Sequence, residues 1–433
     1  MSWILYFIYL LLLIWAIQKL HFFDAPGISK KLLIATFLAK IVGGFAIFCI
    51  YSYYYSPRSA CDIFNYFDDG LIIHSSLATC PSDYFKMITG IGADSPDLIK
   101  YYDTCNFWIK NFNYGLPNDN HIIIRLNAIL CLISMGNFHI HNMLFAFLAF
   151  IGLWAIYKSF AKKLTHKRVL LLLVIFYFPS VWFWTSGATK ESFLVFAFGL
   201  FLYNYLDLLN KVKIGNVFGT LICVLLLFMS KFYVFLAALP SLVAMLWIRR
   251  QPKLALVKFI AMHFLIFASA YLSRFITQID LFQTICNKQH DFIMMAKSMT
   301  VGSYIDIPIL TNGLADVVAN APSAIARTFL RPTMFEGGSM TMIMAGIENA
   351  FIICICIIGI TCLKLRNFGI HEVWLCISFI SILFVLVGLT TPVIGALVRY
   401  KVPALPFIGM LILFLANDDK LQPLDKWLEG KFK

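Results

Sequence analysis

Charge is the scarcest ingredient of this chain. Of 433 residues only 13% are charged, while 61% are hydrophobic and 16% aromatic. A soluble domain carries about twice that share of charge, so a soluble globular enzyme is excluded. The alternation of a membrane β-barrel is missing too. The apolar runs are continuous, recur from end to end, and approach the ~20 residues that cross a ~30 Å hydrocarbon core. Internal repeats and low-complexity tracts are absent. Residues 2–18 form an apolar run with no basic segment before it, and "QKLHFFDAPG" after it offers no small-residue cleavage site, so the run reads as a retained helix. No Cys/His spacing resembles a zinc site, and His139 and His141 in "HIH" read better as interfacial residues. The net charge of +13 does not point to nucleic acid, because the basic residues lie in short clusters between apolar runs. That is the positive-inside pattern.

What remains is an all-α polytopic membrane protein, one membrane domain over 1–433. The spans fall near 2–18, 32–54, 139–158, 169–184, 191–208, 215–230, 233–248, 254–272, 346–363, 373–389 and 402–416, eleven in all. Connections alternate in character. One set is short and basic: Lys30–Lys31, "AKKLTHKR", Lys211 and Lys213, "RRQPK", "KLR" and the tail 417–433. This set is expected in the cytoplasm. The other holds two long segments, 55–138 and 273–345, expected on the exoplasmic face. The first carries eight aspartates against five Lys/Arg. "HIIIRLNAILCLISM" (121–135) reads as an amphipathic or re-entrant helix, and "NAPSAIARTFLRP" as a second short helix opened near Asn320–Pro322. Cys61, Cys80, Cys105 and Cys286 fall on the outer face, where disulfides are permitted but their pairing is not readable.

Four polar constellations gather on that outer face, while the span interiors hold few charges. In "SACDIFNYFDDG", Asp62 and Tyr66 are one helical turn apart and Asp69 returns to their face. A carboxylate at a partly dehydrated membrane mouth makes a usable general base. In "FPSVWFWTSGATKES", Pro179 ends or kinks a helix, Ser186 and Gly187 turn the chain, and Lys190–Glu191 start the next helix beside the interfacial Trp184. A helix N-terminus with a lysine suits an anion. In "ARTFLRP", Arg327 and Arg331 share a face and suit phosphate oxygens. In "PVIGALVRYKVPALP", Arg399 and Lys401 flank Tyr400 at the outer end of the last span, against the positive-inside bias. Plain alternatives stand beside each: a solvated helix start, a tight turn, and snorkelling or boundary anchors.

The acid followed four residues on by tyrosine (Asp62, Tyr66) and the pair Asp68–Asp69 resemble the C-type membrane glycosyltransferases, and the late "GALVRYKVPALPF" resembles an Arg-Tyr segment of membrane sugar transferases and polysaccharide polymerases. "PSVWFWTSGATKES" is similar to a segment of bacterial membrane proteins. The acid loop here follows the second expected span, where the family has it after the first. The resemblance implies an enzyme of the bacterial inner membrane, with its active site on the exoplasmic face. It would transfer a sugar, with inversion, from a polyprenyl-phosphate carrier to a lipid, glycan or protein acceptor. Asp62 is the expected base, with Asp69 its rival. Lys190, Arg327, Arg331, Arg399 and Lys401 are expected on the donor phosphate. Tyr66, Asp68, Trp184, Ser186, Glu191 and Tyr400 are expected to line the substrate. No cofactor is required, although a divalent cation could bridge Asp68–Asp69 to phosphate. A polysaccharide polymerase, a flippase or transporter for lipid-linked sugars, and a non-catalytic export subunit remain alternatives. The scarcity of mid-span charge weighs against the transporter.

Overall fold

The computed structural model describes residues 2–55, 57–110, 118–250, 253–299, 301–336 and 338–432. Among them there is no strand, only two isolated bridges, Tyr304 with Val393 and Leu363 with Ala416. Helices α1 (Ser2–Lys19) and α2 (Lys30–Cys49) come first. The first long segment folds as α3 (Asp62–Thr79), α4 (Pro81–Thr89), α5 (Ile99–Tyr102) and α6 (Asn120–Ser134). Then follow α7 (Phe138–Ala161), α8 (Arg168–Phe176), α9 (Pro179–Trp184), α10 (Lys190–Asn210), α11 (Ile214–Met229), α12 (Phe232–Arg250) and α13 (Ala255–Thr277). The second long segment contributes α14 (Leu281–Ser298) and α15 (Leu314–Leu330). The chain ends with α16 (Met340–Thr361), α17 (His371–Thr390), α18 (Ile394–Tyr400), α19 (Leu405–Leu415) and α20 (Asp418–Lys431).

Among the described residues eight helical stretches are long and apolar enough to cross a membrane: Lys30–Tyr54, Phe138–Ala161, Lys190–Asn210, Phe232–Arg250, Ala255–Thr277, Met340–Thr361, His371–Thr390 and Ile394–Leu415. Two further expected spans form shorter apolar helices, Trp3–Lys19 and Ile214–Met229. The expected span 169–184 is broken instead into α8 and α9. Pro179 has no N–H to give and holds Phe178 extended (φ −58, ψ 128), so the helix stops and restarts. The last span begins at Ile394 rather than near 402, which draws Arg399 and Lys401 inside it rather than leaving them at its mouth. Helix α15 starts at Leu314, not near Asn320, and carries Pro322 in its interior.

Each connection's location follows from its contacts. At one end Lys167 donates to the carbonyls of Leu413 (2.6 Å) and Ala416 (2.9 Å) and pairs with Asp418. Asp425 accepts the N–H groups of Arg168 and Leu170, both at 2.9 Å. There Lys163 meets Glu372, Arg249 donates to the Leu208 and Asn210 carbonyls, and Lys364 N–H reaches Leu415. The Ser29 hydroxyl donates to the Phe432 carbonyl at 3.0 Å, and Trp374 packs against the small core that holds Ile248, so the described residues of the short basic connections lie together. At the other end the two long segments meet α10 and α18. Tyr55 lies 3.3 Å from the Thr341 hydroxyl, and Ile305 N–H donates to Pro392.

Packing inside the bundle is closest between α7 and α10. A Cβ on Gly199 would lie 2.0 Å from the Gly152 carbonyl oxygen, and one on Gly152 would lie 2.2 Å from that of Val195. Bilayer helices associate through such small-residue contacts, because lipid gives no hydrophobic drive between them. Beyond the bundle, α3, α4 and α6 enclose a second core of Tyr66, Ile73, Tyr84, Met87, Trp108 and Ile123. The 121–135 stretch, expected to lie against the membrane, is α6, and it packs on α3 so tightly that a Cβ on Gly70 would sit 2.6 Å from the Asn127 side chain.

Candidate functional site

Helix α2 widens at its end into a π-helical turn, Ile50–Tyr54, a distortion frequent at functional sites. A short loop follows and α3 begins at Asp62, the acid in its first turn, where the helix dipole favours negative charge. One Asp62 oxygen, Oδ2, accepts from Arg399 Nη1 at 2.5 Å. The other, Oδ1, is buried and has no hydrogen-bond partner among the described residues. Arg399 turns its Nε to Glu191 Oε2 at 2.6 Å, and Lys231 donates to Glu191 Oε1, also at 2.6 Å. Glu191 is wholly buried, so each of its oxygens is matched to one cation. The Arg399 guanidinium lies 5.2 Å from the Trp184 ring, and the Lys231 ammonium 4.1 Å from that of Tyr400. Both are cation–π contacts.

A second chain of ion pairs starts on the neighbouring residue. Lys190 meets Asp119 at 2.8 Å, and Asp119 also receives Lys110. The Lys190 ammonium sits 5.5 Å from the Tyr66 ring, and the Tyr66 hydroxyl donates to Asn120 at 3.4 Å. Burial alone would raise the Asp119 carboxyl, but the Lys190 and Lys110 ammoniums outweigh it and hold it well below the usual carboxylate range. Burial pushes the Tyr66 phenol well above its ordinary value, with the Asp62 charge adding to the effect, and lowers the Lys231 ammonium. Together Lys110, Lys190, Lys231 and Arg399 face Asp62, Asp119 and Glu191, which leaves one positive charge in excess. Thus Asp62, Tyr66, Trp184, Lys190, Glu191, Arg399 and Tyr400, expected from separate stretches, do meet.

Other expected residues stand elsewhere. Asp69 is fully buried and accepts two backbone N–H groups, from Asn106 at 2.7 Å and Phe107 at 2.8 Å. It fixes the turn after α5, and burial raises its carboxyl despite those bonds. Asp68 points away toward Arg58, at 2.7 and 3.2 Å. Neighbours on a helix diverge by about 100°, so the pair does not present two oxygens to one ion. Arg327 donates to the Gly388 carbonyl at 2.8 Å, and Arg331 pairs with Glu336 at 2.7 Å. Lys401 donates to Asn349 at 2.6 Å and to the Arg331 carbonyl at 3.1 Å. These three cations form a separate group around the end of α15. His141 is buried between Asn127 (2.7 Å) and Ser134 (2.6 Å), and all eleven cysteines are unpaired. Among the described residues no three His, Cys, Asp or Glu side chains converge as metal ligands.

Sequence reasoning missed Lys110, Asp119, Lys231 and Lys40. Lys231 is a lone cation in a short turn between two apolar runs on the expected outer side, the same signal that singled out Arg399. Lys40 lies inside the first long span, 1% exposed, and donates to the hydroxyls of Thr185 (2.7 Å) and Ser186 (3.2 Å). An ionisable residue at that depth is a functional signal by itself. No protein-family model, curated protein or solved structure matches the chain.

Proposed function

We propose that this chain is an integral membrane glycosyltransferase that moves a sugar from a polyprenyl-phosphate carrier to a hydroxyl of a lipid, glycan or protein acceptor. The reaction is assigned to the bundle end that carries the two long segments. That end faces the exoplasm in this reading, because the short basic connections all gather at the other.

One observation carries the proposal: among the described residues, Asp62 keeps one buried carboxylate oxygen without a partner while Arg399 holds the other. Buried polar atoms are almost always satisfied, and an exception calls for an explanation. Here it is the proton of the acceptor hydroxyl. As that oxygen attacks the anomeric carbon, its proton passes to Asp62 Oδ1. The bond from the anomeric carbon to the phosphate oxygen breaks, and the electron pair leaves with polyprenyl phosphate. Lys190, Lys231 and Arg399 neutralise the leaving phosphate. The single excess positive charge of their cluster suits a phosphodiester, which carries one negative charge. Trp184, Tyr66 and Tyr400 supply aromatic faces beside these cations. Arg327, Arg331 and Lys401 have no part in this site, and Asp69 holds the loop.

The test is transfer of labelled sugar from purified polyprenyl-phosphate donor by the protein in liposomes. Asp62→Asn keeps the side chain's size but takes no proton at neutral pH, so turnover should fall about 10²–10⁴-fold with the protein still folded. Normal turnover in Asp62→Asn would remove the acid from the chemistry.

A transporter reading retains one specific support. Helix α9 is a short piece of a broken helix with a buried ionisable residue at each end: Glu348 accepts Ser180 N–H at 2.7 Å, and Lys40 reaches Thr185 and Ser186. Broken helices flanked by buried charge are a transporter feature. Lipid-linked sugar crossing liposome membranes without transfer, unchanged by Asp62→Asn, would favour it.

A further inference from the structure

We propose that Lys40 is a positioning residue for the Asp62–Glu191–Arg399 centre, acting through the turn that joins α9 to α10; the inference rests on the donor-binding role given to that centre. Lys40 belongs to α2 and is 1% exposed. Its partners among the described residues are the hydroxyls of Thr185 and Ser186, at 2.7 and 3.2 Å. Both hydroxyls give their own protons to carbonyls one turn back, Thr185 to Val181 at 2.6 Å and Ser186 to Trp182. Their lone pairs are therefore what they offer, and the ammonium is the donor that meets them.

An ammonium inside a candidate span is expensive to hold, and no carboxylate pairs with it among the described residues. Structural need alone would be met by a neutral donor. What the charge adds is strength, because a charge-assisted hydrogen bond is roughly twice as strong as a neutral one and is strengthened further in low dielectric. The segment it grips ends at Lys190 and Glu191. Within that segment Ser192 Oγ donates to the Gly187 carbonyl at 2.6 Å, and Thr189 caps α10 through Ser192 N–H at 3.2 Å. The turn is rigid within itself, so its placement depends on what holds it from outside. On α2 the opposing surface is bare: a Cβ on Gly44 would lie 2.4 Å from the Ser186 carbonyl oxygen, and one on Gly43 would lie 2.8 Å from the Ser186 hydroxyl. Asn142 of α7 adds a neutral tie, accepting Ala188 N–H at 2.9 Å and donating to the Gly44 carbonyl at 2.7 Å, so Lys40, Asn142 and these glycines together set the distance between α2 and the turn. That distance decides where Glu191 meets Arg399 and Lys231.

The test uses the full chain in nanodiscs, with polyprenyl phosphate as the binding probe, comparing Lys40→Met, Thr185→Val/Ser186→Ala and the triple variant. Lys40→Met should fold, bind polyprenyl phosphate at least tenfold more weakly, and show the Glu191–Arg399 contact displaced in its structure. In the Thr185→Val/Ser186→Ala background the same change should cost less than twofold, since the hydroxyls through which Lys40 acts are gone. Lys40→Arg should recover part of the loss. A full tenfold cost in that background would make Lys40 a direct ligand and overturn the proposal, as would an undisplaced Glu191–Arg399 contact in Lys40→Met. If the wild type binds no polyprenyl phosphate, the functional reading fails, and the displaced contact alone decides the positioning role. A Lys40→Met protein that does not fold is replaced by Lys40→Gln, judged by the same two measurements.

Discussion

Glu191→Gln removes one charge from the most enclosed carboxylate of the site and leaves its shape. In the wild type each Glu191 oxygen receives a cation at 2.6 Å, Lys231 on one side and Arg399 on the other. Two unit charges about 4 Å apart attract by ~4 kcal/mol at an effective dielectric constant of ~20, so two cations supply roughly twice that. Against this stands the desolvation of the carboxylate itself, several kcal/mol. The net effect of breaking a buried pair while its partner stays behind is about 3–5 kcal/mol, and Glu191→Gln belongs at that level because both cations remain. The excess positive charge of the cluster rises from one to two. Purified protein in micelles, unfolded by a denaturant series, gives the value directly. The decisive arm is Lys231→Met alone and combined with Glu191→Gln. Removing the cation as well should recover part of the loss, with a coupling of at least ~1.5 kcal/mol. A Glu191→Gln protein within about 0.5 kcal/mol of wild type, the range of an ordinary surface change, would refute the reasoning. Strict additivity of the two variants would refute it too.

Asp69→Asn should destabilise the fold by about 1–3 kcal/mol, because an amide nitrogen cannot accept from Asn106 or Phe107; a denaturant midpoint equal to that of wild type would undo its assignment as a turn clamp. Asp119 has a folded pKa held below its ordinary 3.8 by Lys190 and Lys110, so its stabilising effect is complete above that value and is lost progressively as the pH falls below about 4. Melting temperatures measured between pH 3 and 7 should show this fall, and Asp119→Asn should flatten it. Gly199→Leu would drive a side chain into the Gly152 backbone. It should cost at least the ~1–3 kcal/mol typical of overpacking, measured as lost thermal stability or failed expression, whereas tolerance of leucine would contradict the helix contact.

The helical character and most boundaries were legible because apolar periodicity and length are local properties. The break at Tyr177–Phe178 was only half legible: Pro179 marks it, yet hydropathy alone reads 169–184 as one span. The assembly of the site was not. Asp62 and Arg399 meet although 337 positions separate them, and no local pattern encodes that contact. Some misplacements could have been avoided with helix geometry alone. Arg399 and Lys401 looked like one cationic pair, yet two residues on a helix lie about 200° apart. They face opposite sides accordingly, one toward Asp62 and the other toward Asn349. Asp68 and Asp69 were separated by the same rule. Lys40 and Lys231 escaped for a different reason: each is a single charge in apolar surroundings, and a search for clusters passes over it.

These lone lysines change the meaning of the scarce charge. Mid-span charge looked too rare to support transport, yet Lys40 and Glu348 sit buried at the two ends of α9, the short piece of a broken helix. The helix dipole orders them correctly, with the carboxylate at the amino end and the ammonium at the carboxyl end. That arrangement explains how a six-residue helix can be held at a fixed place among long ones. It also separates two roles for buried charge in one bundle. At α9 the hydrogen bonds of Lys40 and Glu348 among the described residues all go to Ser or Thr groups, so those charges hold structure. At the Asp62 centre charge meets charge, and one carboxylate oxygen is left over. A site whose groups were all satisfied would need no ligand to complete it. The unpaired oxygen, lying beside a cluster with one positive charge in excess, is where a substrate carrying both a hydroxyl proton and a phosphate would complete the balance.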